Sequence, residues 1–290
     1  MDRSKGIGGS DVGGIFGLSK WKSPLSIYMS KIEGDEEKDN QFIEWGNKLE
    51  PIVAEKFSEV TGKKLLVRED TIVSDSHDFI IAHIDRQVEN ESAGLEVKTA
   101  TQYKSSEWDD QVPEEYILQC MHYMYCTGFD KWYICVLIGG NDFRWFTIER
   151  DQEMIDAIVE KEVEFWNEHV LKKVPPEPIG SDTEFVNKLF SKSNGKTVQF
   201  DNGMDELLKD LTETKKSIKH MENVKKELEN KLKVFLGNNE FGSSDKFRVS
   251  WKEQTRSGID SKILKNEFPL VYGKVKTESS HRRLLVKELL

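Results

Sequence analysis

Two short segments hold the side chains with the most chemistry in them. Ala82-His83-Ile84-Asp85 ends one apolar run, and Leu95-Glu96-Val97-Lys98 sits in the next. Residues 79–84 and 94–99 read as neighbouring strands joined by the polar turn Glu89-Asn90-Glu91-Ser92. Side chains alternate along a strand, so Glu96 and Lys98 share one face. If the two strands pair, Asp85 reaches the same point as Glu96. Two carboxylates make a hard oxygen site for a divalent cation, and the lysine is left beside it. That is the chemistry of metal-assisted phosphodiester hydrolysis: the metal activates a water and polarises the phosphate, and the lysine orients the water or stabilises charge. The plainer reading is a solvated strand face with a weak ion pair. The apolar neighbours Phe79, Ile80, Ile81, Ile84, Leu95 and Val97 argue for a buried edge, where charges need a partner or a metal.

Other candidates lie outside this pair of segments. Glu50 sits in Gly46-Asn47-Lys48-Leu49-Glu50-Pro51 on an expected helix, among Glu44, Glu55 and Glu59, and spacing does not single it out. Tyr116 and Gln119 are three apart and share a helical face. A glutamine there can hold a water or a phosphate oxygen, or simply belong to an ordinary helix, and spacing leaves both open. Ser10 follows glycines at an expected helix start, with Arg3 seven residues before it. Such a pair makes a phosphate pocket, or else a capping serine beside a terminus. His83 would share the face of Asp85 as a metal ligand or a supporting group, or be a packed histidine, and it receives no role. Trp21, Trp45, Trp108 and Trp132 could stack bases, though most tryptophans are core or partly buried anchors, and only Trp21, between Lys20 and Lys22, is placed near DNA.

The elements that position these residues follow from caps and periodicity. Helices are expected from residue 8 to 16, 24 to 32, 41 to 61, 113 to 127 and 151 to 171. Strands are expected near 64–68, 71–74, 79–85, 94–99, 132–138 and 143–148. A sheet with a helix crossing between strands is an α/β core. Pro175-Pro176-Glu177-Pro178 closes this first zone, residues 1–175, and opens a linker over 176–202. Residues 203–236 carry apolar side chains at spacings of three and four, an amphipathic helix of about nine turns. Its stripe would pack on its own core or serve a protein contact. Beyond it, 247–251 alternates as a strand that continues toward Ser257-Gly258, 260–267 reads as a short helix and 283–289 as a last strand, which completes an extension over 203–290.

Composition bounds the class. The chain of 290 residues has Lys+Arg 42 against Asp+Glu 52, a net charge of −10. That is mild evidence against a nucleic-acid protein. From residue 203 onward there are 19 basic and 14 acidic residues, a net of +5, against 23 and 38, a net of −15, before it. Phosphate contact needs a local basic surface, not a basic total. Three cysteines (Cys120, Cys126 and Cys135) have no metal-ligand spacing and cannot supply the four thiolates of an iron–sulfur cluster. With no secretory signal and no long apolar stretch, the expectation is a soluble cytoplasmic protein, of the host cell if phage-encoded, with no membrane partner.

Gly-Ile-Gly-Gly-Ser10-Asp, Gly-x-x-x-Glu50-Pro, Asp85, Glu96-Val97-Lys98 and Pro-x-x-Tyr116-x-x-Gln119 occur in one order. Together, over roughly residues 1–170, they resemble the YqaJ-like phage recombinase family, the lambda-exonuclease-like alkaline exonucleases. The resemblance implies a restriction-endonuclease-like α/β core of the PD-(D/E)xK type. It implies a Mg²⁺-dependent exonuclease, with two ions and Mn²⁺ as a substitute. Such an enzyme digests one strand of double-stranded DNA from a 5′ end and leaves a 3′ tail for a single-strand annealing protein. On this likeness Asp85, Glu96 and the Val97 carbonyl hold a metal and Glu50 serves the second. Lys98 stands beside the attacking water, Gln119 holds that water with Tyr116 in support, and Ser10 and Arg3 grip the 5′-phosphate. The best-known case is a toroidal homotrimer, and the 115 residues added here after about residue 175 would support such a ring or block it. An endonuclease on the same core, and a non-catalytic DNA-end or partner-binding module, are the competing readings.

Overall fold

The computed structural model describes residues 5–34, 40–277 and 281–287. Arg3 lies outside the described residues. The chain divides into two compact units, Met1–Leu189 and Phe190–Leu290.

The first unit is built on two sheets. Strands β2 (Leu65–Val67), β5 (Arg86–Val88), β6 (Ala93–Ala100), β7 (Lys131–Ile138) and β8 (Asp142–Glu149) form the larger one, in the order β2-β5-β6-β7-β8. Within this sheet, among the described residues, only β6 and β7 pair in parallel, with Glu96 opposite Ile134. Parallel neighbours need a crossover, and helix α4 (Glu114–Thr127) supplies it. The smaller sheet takes β1 (Ile7–Gly8), β3 (Ile72–Val73) and β4 (Ile80–Ala82), in the order β1-β4-β3.

Alternation along β6 divides the core. Leu95 and Val97 pack with Val53, Ala54 and Phe57 of helix α3 (Gln41–Thr61). The opposite face meets α4 across the cluster of Cys120, Tyr123, Met124, Ile134 and Val136. A Cβ at Gly94 would stand 2.2 Å from Trp132 Cζ2, so the missing side chain makes room for that buried indole. Helix α3 has the bounds its caps dictate. Asn40 Oδ1 accepts from Phe42 N at 2.9 Å, and Gly62 closes the helix in the left-handed region at φ 70°.

Helix α1 (Gly9–Ile15) approaches α4 closely because its facing residues are small. A Cβ at Gly9 would meet Tyr123 Cε1 at 2.6 Å, and one at Gly13 would meet Glu115 Cβ at 2.9 Å. Helix α2 (Pro24–Glu33) starts at Ser23, whose Oγ accepts from Ser26 N at 3.0 Å. Helix α5 (Gln152–Phe165) starts at Asp151, which accepts from Met154 N at 3.0 Å. The expected single helix over 151–171 changes character at Trp166. The turns Trp166–Leu171 are π-helical, and the Trp166 ring stacks on Phe79 at 5.0 Å. Helix α6 (Thr183–Leu189) ends this unit.

Inside the same unit His122 and Glu162 form a fully buried pair between α4 and α5 at 2.6 Å. The other ring nitrogen of His122 lies 2.9 Å from the Ile81 carbonyl of β4. A carboxylate at Nδ1 and a carbonyl at Nε2 are both acceptors, an arrangement that favours a hydrogen on each ring nitrogen. Burial opposes that state, but the Glu162 charge overrides it and raises the His122 pKa well above its ordinary value.

The second unit contains α7 (Asn202–Leu236), the antiparallel pair β9 (Phe241–Ser243) and β10 (Arg248–Ser250), α8 (Ser261–Glu267) and α9 (Pro269–Val275). Asp201 caps α7 by accepting from Met204 N at 3.0 Å. The expected strand over 283–289 does not form in its described part, since residues 281–287 carry no strand and the β9–β10 ribbon takes no third partner. The strand expected from 247 also stops short, at Ser250. Helix α9 was not expected; Pro269 stands in its first turn, where its missing N–H costs nothing. No helix among the described residues is long and apolar enough to cross a membrane.

Candidate active site

The expected pairing of strands 79–85 and 94–99 does not occur. Strand β4 stops at Ala82 and belongs to the smaller sheet, and β5 pairs with β6 instead, Arg86 opposite Leu95. Asp85 is the residue just before β5. Its Oδ2 accepts from Val97 N at 2.8 Å, so a carboxylate replaces the next rung of the ladder. Asp85 thereby reaches β6 beside Glu96, though by a route different from the expected one.

Glu96 is the centre of the arrangement and is 3 % exposed. Its Oε1 accepts from Lys98 Nζ at 2.6 Å and from Gln119 Nε2 at 2.8 Å. Its Oε2 is buried without a hydrogen-bond partner. A bare buried carboxylate oxygen is costly unless a cation completes it. Asp85 shows the same tension. Burial, then the neighbouring Glu96 charge, pushes its carboxyl well above the usual carboxylate range. Lys98 feels the reverse. Burial presses its pKa down, but the charge and hydrogen bond of Glu96 outweigh burial and leave it above the ordinary lysine value.

Gln119 links the parts. Its Nε2 donates to Glu96 Oε1 at 2.8 Å and to Tyr123 Oη at 2.8 Å, while its Oε1 accepts from Lys98 Nζ at 3.1 Å. The reversed amide would set oxygen against carboxylate and NH₂ against ammonium, so the network fixes its orientation. Both amide hydrogens are committed, which leaves a lone pair of Oε1 able to accept a hydrogen bond from a water. Tyr123 is a partner that the sequence reading missed. It lies one turn beyond Gln119 on α4, and its i,i+4 spacing was the available signal. Tyr116 makes a different contact: its ring lies 4.8 Å from Lys98 Nζ and stacks on Trp108 at 5.4 Å.

The remaining candidates stand around this centre. Glu50 Oε1 is bound to Arg86 Nη1 at 2.5 Å, and its charge also acts on Asp85. His83 Nε2 lies 2.9 Å from Thr71 Oγ1. Ser10 is exposed on α1 and does not cap it. Gly8 holds the cap position, with its N–H bonded to Asp11 Oδ2 at 3.2 Å. Lys22 Nζ reaches Ser10 Oγ at 3.3 Å and Asp11 Oδ1 at 2.7 Å. Burial works against ionised Asp11, but Lys22 and Lys31 overcome it and hold the carboxyl at about 2. Trp21 is 79 % exposed, with Lys104 Nζ 5.6 Å from its ring, and Trp45 is also exposed. Trp108 and Trp132 are buried in the core.

The donor set suits a hard divalent cation. Asp85 and the bare oxygen of Glu96 are hard ligands, and the Val97 carbonyl belongs to the residue between Glu96 and Lys98. Among the described residues no three His, Cys, Asp or Glu side chains converge into a complete cage. Mg²⁺ does not require one, since it commonly keeps several waters and takes one or two carboxylates plus substrate phosphate oxygens.

A model of the YqaJ-like viral recombinase domain matches residues 1–130. The uncharacterized protein YqaJ of Bacillus subtilis (strain 168) is 38% identical, over 100% of this chain and 93% of that one. Among solved structures, the alkaline exonuclease LHK-Exo from Laribacter hongkongensis superposes with a TM-score of 0.51 at 18% identity, covering 65% of this chain and 95% of that one. Its complex with dAMP gives 0.51 at 19% identity with the same coverage. These structures share the mixed α/β, restriction-endonuclease-like nuclease fold expected from the sequence. By its full-length likeness to YqaJ and its domain match, this chain belongs to the YqaJ-like viral recombinase family.

Proposed function

We propose that this chain is a Mg²⁺-dependent exonuclease acting on linear double-stranded DNA. It would degrade one strand from the 5′ end and leave a 3′ single-stranded tail for an annealing protein in phage-type recombination. The observation that carries the reading is the buried, partnerless Oε2 of Glu96 within the Asp85–Glu96–Lys98–Gln119 network. Support comes from family membership and from an alkaline exonuclease with the same fold.

In this proposal Asp85, Glu96 and the Val97 carbonyl hold the ion, with Mn²⁺ as a substitute for Mg²⁺. The bound ion supplies Lewis acidity toward the phosphate and lowers the pKa of water. Lys98 acts as an ammonium donor, held by Glu96 and Gln119, and stabilises charge beside the scissile phosphate. Gln119 keeps Glu96 and Lys98 in register and offers its Oε1 lone pair to the water. Tyr116 supports Lys98 through its ring. Glu50, whose Oε1 holds Arg86, would serve a second ion.

The 5′-phosphate is assigned to Ser10, with Arg3, and Lys22 Nζ lies 3.3 Å from the Ser10 hydroxyl as an added cation. If Ser10 belongs to that pocket, removing the 5′-phosphate slows digestion; equal rates on phosphate and hydroxyl ends would remove it from the proposal. The annealing partner and a homotrimeric ring also belong to the proposal, and native mass determination tests the ring.

The central experiment uses linear duplex DNA labelled at one 5′ or one 3′ end, with and without Mg²⁺, beside a covalently closed circle. Early release of the 5′ label with the circle intact supports exonuclease action and its polarity. Cutting of the circle would replace it with an endonuclease. Absent cutting would overturn the reading in favour of a binding module, and cutting that does not depend on metal would overturn the Mg²⁺-dependent mechanism.

A further inference from the structure

Helix α7 carries a seven-residue repeat. Met204, Leu211, Ile218, Lys225 and Leu232 recur every seventh residue, as do Leu207, Thr214, Met221, Leu228 and Phe235, three places further on. Eight of these ten positions are apolar over 35 helical residues. A strict period of seven differs from the broad stripe of a helix lying on a globular core and marks a seam that faces another helix. The stripe is open to solvent: Leu207 is 55 % exposed, Met221 62 % and Leu228 56 %.

The two polar seam positions choose the occupant and its direction. In a parallel, in-register pair Lys225 would face Lys225 of the second copy, two ammonium groups within an apolar seam. In an antiparallel pair of copies, Lys225 faces Thr214. The same register sets Met204 against Phe235, Leu207 against Leu232, Leu211 against Leu228 and Ile218 against Met221, so every apolar seam residue meets an apolar one. The flanks agree. Asp210 falls near Lys231 of the other copy and Lys215 near Glu222, with no like-charge pair beside the seam. A polar residue at one seam position commonly specifies register in this way.

We propose that α7 pairs with α7 of a second copy of this chain as an antiparallel, two-fold coiled coil. The contact joins chains in twos, so the native assembly is a dimer without a ring of three and two such rings, six chains, with one. It depends on the seam alone and not on nuclease activity.

Two measurements on the full chain test this. The first is native mass by light scattering for the wild type and for Ile218→Glu/Leu228→Glu. The expected result is that the mass falls by half in the variant while tryptophan-monitored unfolding is retained, since six of the seven tryptophans lie in the first unit. The second is oxidation of a Leu207→Cys chain, a Leu232→Cys chain and their mixture, with the linked peptides identified by mass. The expected product is a 207–232 link in the mixture and no 207–207 or 232–232 link in either chain alone. Self-linked single variants would overturn the antiparallel register. Unchanged mass with no interchain link would overturn the proposal and assign the seam to its own nuclease unit or to another protein.

Discussion

Gln119 Nε2 and Lys98 Nζ both donate to the same oxygen of Glu96, at 2.8 and 2.6 Å. The second Glu96 oxygen is left bare and buried. One residue thus has an oxygen for positioning and an oxygen for a cation. The division follows from α4 facing one side of β6.

Lys98→Ala is expected to abolish DNA cutting, by a factor of about 10²–10³, the range for losing one well-placed donor of charge stabilisation. DNA binding and metal binding should be largely retained. Single-turnover cleavage alongside filter binding checks both, and cutting at the normal rate would remove Lys98 from the site.

Tyr123→Phe keeps the ring and deletes the oxygen that receives the second amide hydrogen of Gln119. The expected effect is a fall in kcat of roughly 10- to 100-fold from misplacement of Gln119, with KM little changed. Stability should drop by about 1–3 kcal/mol for the buried donor left unpaired. A wild-type kcat would show that the hydroxyl only packs the helix.

The acid pair predicts a metal effect on stability. Because the Asp85 pKa is raised in the folded state, the unfolded chain loses that proton first as pH rises. The metal-free protein is therefore penalised as pH rises above the ordinary carboxylate value. Mg²⁺ should raise Tm there. Asp85→Asn, which keeps an acceptor for Val97 N, should raise the metal-free Tm, abolish cutting and blunt the Mg²⁺ shift. Calorimetry at pH 7 with and without Mg²⁺ decides it, and a lowered metal-free Tm in the variant would contradict the argument.

His122 carries the opposite sign. Its folded pKa lies above the ordinary value of 6.5, so its contribution is fully present below that pH and is lost as pH rises through the folded value. His122→Ala should cost about 3–5 kcal/mol, because Glu162 is then left charged and buried. The stability difference from wild type should shrink at alkaline pH. Urea unfolding across a pH series tests this, and a difference independent of pH would show that packing, not charge, is what His122 provides.

The sequence made legible those features written in local chemistry. Helix α3 runs from Gln41 to Thr61, the bounds expected from its periodicity, and stops at Gly62. The α/β core and the crossover helix α4 followed from the order of periodic segments. Asp85 was harder. It was expected to reach Glu96 by strand pairing, yet it does so because its side chain caps Val97 N, and strand β5 is three residues long, too short to announce itself by alternation. Tyr123 stayed hidden because an aromatic residue in a helical stripe usually signals core, and only depth and a bond to Gln119 mark it otherwise. The hold of Arg86 on Glu50 spans 36 residues and lies beyond any local pattern.

Strand β6 pairs with β7 from Ala93 to Ala100, its other edge is held by β5 at Gly94 and Leu95 and by the Asp85 carboxylate at Val97 N, and its faces pack on α3 and α4. Glu96 and Lys98 are therefore anchored in a segment whose amides should exchange with solvent only on global opening. Heating should then extinguish any activity of this site together with the whole unit, rather than through early melting of a loop. Loss of function and loss of structure would share one transition.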